Sequence, residues 1–137
     1  TVVAFHHPVY STAVRRDNKE LREMLQPIFD RYRVDLVLNG HDHVYGRTRL
    51  VRGTVYVVSS SGIKFYELSR KPEFQRVAED TQLFQAVRVG ARRLTFEART
   101  VSGALYDRFT LVKRAKLPNQ IINQIPPGTE RLRPPKQ

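Results

Sequence analysis

An α/β fold is predicted for this chain: a strand, helix, strand unit, then a hairpin, then an antiparallel meander. Three patterns carry the prediction. Residues 1–5 and 34–38 are short apolar runs, an amphipathic stretch of helical period lies between them, and from Leu83 onward apolar and polar residues alternate with period two.

The opening run, Thr1-Val2-Val3-Ala4-Phe5, is apolar and rich in β-branched residues on successive positions, the mark of a parallel strand covered on both faces. His6-His7-Pro8 ends it. Asp17 with Glu20 three residues later has capping-box spacing, which satisfies the first free amides of a helix. Leu21, Met24, Leu25, Ile28, Phe29 and Tyr32 then share one helical face. Pro27 is expected to kink or strain that helix, because it removes an amide donor and crowds the preceding turn. The connection to the second run is too long for a hairpin, so the two strands should pair in parallel with a right-handed crossover. Their carboxyl ends then share one edge of the sheet, where open α/β sheets place their sites.

Further along, residues 48–51 and 54–58 flank Arg52-Gly53, a plausible hairpin turn, and Ser59-Ser60-Ser61-Gly62 forms a small-residue loop whose amides suit an anion. Residues 63–82 are polar and irregular, helical in part at most. The meander follows as Leu83-Gln85-Val87-Val89, Leu94-Phe96-Ala98 and Leu105-Asp107-Phe109-Leu111, with turns at Gly90 and Ser102-Gly103. Residues 1–112 are therefore read as the folded portion. Residues 113–137 are read as a basic, proline-rich tail that runs extended over the surface or is partly disordered, its middle pinned by Ile121, Ile122 and Ile125.

Composition narrows the chemistry. At 137 residues the chain suits one domain, which buries roughly two-thirds of the surface exposed by its unfolded form. There is no cysteine, so disulfides and thiolate-bound zinc are excluded and any metal must be held by nitrogen and oxygen. No apolar run reaches the roughly 18 residues that a membrane-spanning helix needs. Thr1 lies directly inside an apolar run, which reads as a cut end with a further segment expected before it. The net charge of +11 favours anionic partners. The basic residues, such as Arg15, Arg16, Arg22, Arg92, Arg93 and Arg133, are scattered along the sequence, and this weighs against nucleic acid as the partner.

All four histidines occur in two segments, Phe5-His6-His7-Pro8 and Asn39-Gly40-His41-Asp42-His43. Both stand at the carboxyl ends of the two parallel strands, so the topology alone brings them together. Imidazole nitrogen bonds zinc at about 2.0–2.1 Å and suits iron equally. His41 and His43, two apart, point to the same side if the backbone stays extended, and Gly40 permits a sharp turn beside them. Asp42 between them is either a hydrogen-bond partner that fixes an imidazole tautomer or a solvated loop carboxylate.

The run Phe5-His6-His7-Pro8-Val9-Tyr10-Ser11, followed by Gly40-His41-Asp42-His43-Val44-Tyr45-Gly46-Arg47, resembles the last two metal-binding blocks of the calcineurin-like metallophosphoesterases, and within them the purple acid phosphatase branch. The resemblance covers residues 1 to about 62. It implies the C-terminal part of the family's αββα sandwich, and the meander, which carries no signature of its own, is compatible with the second sheet. It implies a site for two metal ions, divalent or trivalent (iron, zinc or manganese), in which His6 and His41 look like ligands of one ion and His43 of the other. His7 has no metal role in that pattern and is the candidate catalytic residue, orienting a ligand or donating to the substrate phosphate. Tyr10, Tyr45 and Arg47, beside the ligands, are candidate substrate-binding residues. The family's Asp-x-His, Gly-Asp and Gly-Asn-His blocks have no match in this sequence, and they lie upstream of His6 in the family. The implied chemistry is phosphate-ester hydrolysis by a hydroxide activated between two metal ions. It needs the missing N-terminal segment of the same protein as partner, and the chain by itself is expected to be inert. Export from the cytoplasm is the expectation that comes with the branch.

Two other readings compete. A non-catalytic basic module would bind nucleic acid or another polyanion, needing none of the histidines and showing a steep salt dependence. A structural zinc site made by histidines alone would stabilise little on mobile loops without a closed shell.

Overall fold

The computed structural model describes residues 1–127. Strand β1 (Val2–Phe5) and strand β2 (Leu36–Asn39) pair in parallel, Val2 beside Leu36 and Phe5 beside Asn39, with helix α1 (Lys19–Arg31) in the crossover. This is the arrangement expected from the two apolar runs. Strand β4 (Val55–Val58) adds in parallel to the other side of β2. Strand β3 (Tyr45–Thr48) pairs antiparallel with β4 across a hairpin whose tip is Arg52-Gly53. Val51 and Thr54 exchange backbone hydrogen bonds at 2.9 Å, and Arg52 and Gly53 both have positive φ, +48° and +96°. A two-residue loop of that hand matches the twist of the flanking strands.

Strand β5 (Phe74–Ala78) completes a five-stranded sheet of order β1-β2-β4-β3-β5. It lies inside the stretch expected to be irregular. Gln75 and Arg76 interrupt its apolar residues, so period-two alternation is absent, and its pairing with β3 through Gly46–Val77 and Tyr45–Ala78 supplies what the local pattern lacks. Strands β6 (Leu83–Val89), β7 (Arg93–Thr100) and β8 (Leu105–Val112) form the anticipated meander. Strand β9 (Gln120–Asn123) extends it to four strands by pairing with β8. The first part of the expected tail is thus sheet, with Ile121 packed against the core and Ile122 exposed. The end of that tail, residues 128–137, lies outside the described residues.

The principal core forms between the two sheets, where Leu36, Tyr45, Val55 and Val57 meet Leu83, Leu94, Phe96, Phe109 and Leu111. The other face of the five-stranded sheet is covered by α1 and the loop after β1, with Val9, Phe29, Val34, Val37 and Tyr56 buried together. The amphipathic face of α1 is narrower than its periodicity suggests: Phe29 is buried and Leu25 packs beside it, whereas Met24, Ile28 and Tyr32 are exposed. The capping box does not form either. Asn18 is the N-cap, its side-chain amide donating to Pro8 O at 2.7 Å, and Asp17 instead accepts two hydrogen bonds from Arg22. Pro27 sits within the helix, which continues through it to Arg31.

Candidate metal centre

The two histidine segments meet because Asn39, the last residue of β2, fastens the loop that follows β1. Its Nδ2 donates to Phe5 O at 3.0 Å, its Oδ1 accepts from Val9 N at 3.4 Å, and Gly40 N donates to His6 O at 3.0 Å. Parallel strands thereby end side by side and deliver His6, His7 and His41 to one point. His6 and His41 bring Nε2 and Nδ1 to 3.0 Å of each other. The His7 and His41 rings lie 4.2 Å apart between centroids and those of His6 and His7 5.1 Å.

The segment carrying His41 is not extended. Asp42 N donates to Gly40 O at 2.7 Å and Val44 N to Asp42 O at 2.8 Å, two successive tight turns, and His41 has φ +64°, a conformation that non-glycine residues seldom adopt. The extended backbone on which a shared side depends is therefore absent. His43 faces the Tyr66 ring at 5.0 Å and its Nδ1 lies 3.4 Å from Ser60 Oγ, on the small-residue loop after β4.

Arg16, which the sequence pattern did not single out as a site residue, reaches this cluster. Its NH1 lies 3.2 Å from His41 Nε2 and 3.5 Å from Asp42 Oδ1, and its guanidinium stacks over Tyr66 at 5.1 Å. A guanidinium has no acceptor, so His41 Nε2 accepts from Arg16 and the His41 Nδ1 proton points to His6 Nε2. Arg16, His41 and His6 form a directed chain. Desolvation, then the neighbouring His7, and also His6 and Arg16, lower the pKa of His41 against the opposing pull of Asp42, which favours the neutral, ligating form. No local signal in the sequence marks Arg16, because its place depends on the path of the loop that follows β1.

Asp42 answers to neither description given above. It is fully buried, and its Oδ2 accepts a hydrogen bond from Ser11 Oγ instead of serving an imidazole. Its Oδ1 is buried without a hydrogen-bond partner, with the Arg16 charge nearby. Asp42 therefore binds the loop of residues 11–16 to the histidine turn.

Two of the three candidate substrate-binding residues sit elsewhere. Arg47 is fully buried, donating to both carboxylate oxygens of Asp107 at 2.7 and 2.9 Å and to Asn123 Oδ1 at 2.9 Å. Tyr45 donates to the same Asp107 at 2.7 Å, and burial together with that carboxylate pushes its phenol well above the ordinary value. Both side chains bridge the two sheets in the interior, whereas the sequence reading set them beside the histidines. Tyr10 is half-buried between α1 and the sheet, with its hydroxyl on Gln26 and its ring against Tyr56.

His6 and His41 have the spacing of two nitrogen ligands on one ion. Two nitrogens each about 2.0–2.1 Å from a common ion stand about 3 Å apart, which is the spacing of His6 Nε2 and His41 Nδ1. Among the described residues no group of three His, Asp or Glu side chains is arranged to hold a metal ion.

No protein-family profile matches the chain. It is similar to purple acid phosphatase 4 of Arabidopsis thaliana, with 29% identity over 106 residues that make up 74% of this chain and 31% of the relative. Its fold matches purple acid phosphatase PPD1 from yellow lupin seeds, with TM-score 0.70 and 23% identity, over 80% of this chain and 24% of the lupin protein. It matches GAP50, the anchor in the inner membrane complex of Plasmodium, with TM-score 0.71 and 18% identity, over 81% of this chain and 36% of that one. The chain thus spans about a third of the length of the curated relative it matches. The chain is a purple acid phosphatase-like portion of the calcineurin-like phosphoesterase fold, corresponding to the C-terminal part of these proteins.

Proposed function

We propose that this chain contributes the histidine half of a dinuclear, metal-dependent phosphoesterase site. The observation that carries the reading is the convergence of His6 and His41, nitrogen to nitrogen at 3.0 Å, with His7 beside them on one sheet edge. In this reading His6 and His41 hold one metal ion, His43 holds the second from the Ser60 and Tyr66 side, and His7 orients or protonates the phosphate. Two ions bound there supply Lewis acidity and an activated water for attack on phosphorus. The residues of this chain orient: Asn39 fixes the end of β1 against β2, and Asp42 holds the turn that carries both His41 and His43. Arg16 offers a positive charge at the mouth of the site, suited to an anionic ester once it has left His41. The carboxylates that bridge such ions come, on this reading, from another segment of the same protein, and zinc, iron and manganese all suit the donor set. Export is the corresponding proposal for location.

Two measurements test it. The chain alone should bind zinc weakly and turn over no chromogenic phosphate ester, and His41→Ala should remove most of the zinc binding. Robust turnover by residues 1–137, or unchanged zinc binding in the variant, would overturn it. A non-catalytic polyanion-binding module is the second reading, favoured by the lack of a converged three-ligand group among the described residues. It requires binding to polyanions that His6→Ala/His41→Ala leaves intact.

A further inference from the structure

Some of the cations that look scattered in sequence, Arg92 and Arg93 among them, gather at the opposite end of the sheet. Parallel strands β1, β2 and β4 begin near Thr1, Asp35 and Thr54 and end near His6, Gly40 and Ser59, about 13 Å away for four-residue strands. Around their starting edge lie three adjoining hollows. One of about 300 Å³ is lined by Arg33, Arg52 and Lys116 among others, one of about 540 Å³ by Arg33, Arg92, Lys113 and Arg114, and a third of about 170 Å³ by Arg92, Arg93 and Lys113. Arg33 builds the strip: its guanidinium donates to the carbonyls of Arg114, Ala115 and Leu117 at 2.7–2.8 Å and so folds the 113–118 loop beside the β6–β7 turn. Lys113 is answered by buried Asp35 and Arg52 by Asp30. Arg92, Arg93, Arg114 and Lys116 are exposed with no carboxylate partner among the described residues.

We propose that this edge is a docking face for an anionic lipid bilayer. Two loop tips form it, and each interleaves cations with bare aliphatic side chains: Val89 and Ala91 beside Arg92 and Arg93, and Ala115 and Leu117 beside Arg114 and Lys116. Val89 is 68% exposed and Leu117 55%. Aliphatic groups set among cations suit the headgroup boundary, where the stems bury and the charges meet lipid phosphates. Neither tip carries an aromatic ring, which a single-stranded nucleic acid would use as a stacking platform. Docking by this edge turns the histidine edge away from the bilayer and leaves it open to solvent.

The test is co-sedimentation of the 137-residue chain with phosphatidylcholine vesicles prepared with and without phosphatidylserine. Binding is expected only with phosphatidylserine, and it should fall as salt shortens the screening length from about 10 Å at 0.1 M to about 3 Å at 1 M. Arg92→Ser/Lys116→Ser should weaken partitioning about 30-fold, since each cation near such a surface contributes about fivefold. Leu117→Ser should weaken it without changing the salt slope. Lys19→Ser/Lys64→Ser removes the same charge from elsewhere on the exposed surface and should change it less than about threefold, below the effect of one surface cation. Equal loss from both double variants, equal binding to neutral vesicles, or tighter binding to DNA that is lost with Arg92→Ser/Lys116→Ser would overturn the proposal. Because none of these variants touches a histidine, its failure leaves the metal-site reading standing, and the reverse also holds.

Discussion

Arg16 donates to His41 Nε2 at 3.2 Å while His41 Nδ1 faces His6 at 3.0 Å, so both nitrogens of the central imidazole are engaged. A metal ion held by His41 through Nδ1 requires a proton on Nε2, which then points at a guanidinium donor; an ion held through Nε2 needs the position of Arg16 itself. Either way Arg16 must leave His41 before the site loads.

Arg16→Ala is accordingly expected to tighten zinc binding by the chain about fivefold to tenfold, the worth of one hydrogen bond of about 1 kcal/mol that no longer has to break. Arg16→Lys, which lacks the planar fork, should fall between the two. Isothermal titration calorimetry with zinc checks this, and weaker binding in Arg16→Ala would show that the guanidinium assists the ligands instead of competing with them.

Arg47 and Asp107 make a test of placement. As a buried ion pair with two hydrogen bonds, and with Tyr45 on the same carboxylate, it should cost about 3–5 kcal/mol when Arg47→Ala leaves Asp107 unpaired in the interior. Replacing both partners, Arg47→Met with Asp107→Leu, should recover much of that loss. Urea denaturation measures each value. A fully stable Arg47→Ala protein would return Arg47 to the list of substrate-facing residues.

Gly46 is a packing requirement. A Cβ built on it would come within 2.7 Å of the Phe74 ring and 2.8 Å of Thr12 Cγ2, on the strand flanked by β4 and β5. Gly46→Ala should therefore destabilise the chain by about 1–3 kcal/mol through overpacking, read as a lower urea midpoint with an unchanged slope.

The legible parts of the sequence were those written in local periods. Two apolar runs separated by a helical stretch suffice for the parallel pair, and parallel pairing suffices to bring His6 and His41 to one edge; the meander declares itself by alternation. What escaped depends on partners far along the chain. Arg47 looked like a site residue beside His43 because Asp107, sixty positions away, is what draws it inward. The strand Phe74–Ala78 has no alternation of its own and exists because β3 offers an unpaired edge. Arg16 is one polar residue among many until the loop of residues 11–16 is bound to Asp42 through Ser11. The helix face was read too wide because periodicity reports which residues share a side and not how much of that side a neighbour covers.

Asp35 makes the fold sensitive to acid. Its carboxylate is buried, which alone would raise its pKa, but in the 137-residue chain the ammonium that Thr1 then carries, Lys113 Nζ at 2.9 and 3.0 Å and Asn119 Nδ2 at 2.7 Å outweigh that and hold it below the ordinary value. A carboxyl depressed in the folded state adds stability that is fully present above its unfolded value of about 3.9 and is lost as pH falls through the lower folded value. The urea midpoint should therefore hold level on this account above about pH 5 and decline below about pH 4. Lys113→Met removes one of the three charged or polar donors and should cost about 1–2 kcal/mol at neutral pH. It should also make the acid decline shallower, because the folded pKa of Asp35 moves back toward the unfolded one. An unchanged acid limb in Lys113→Met would assign the decline to other carboxylates.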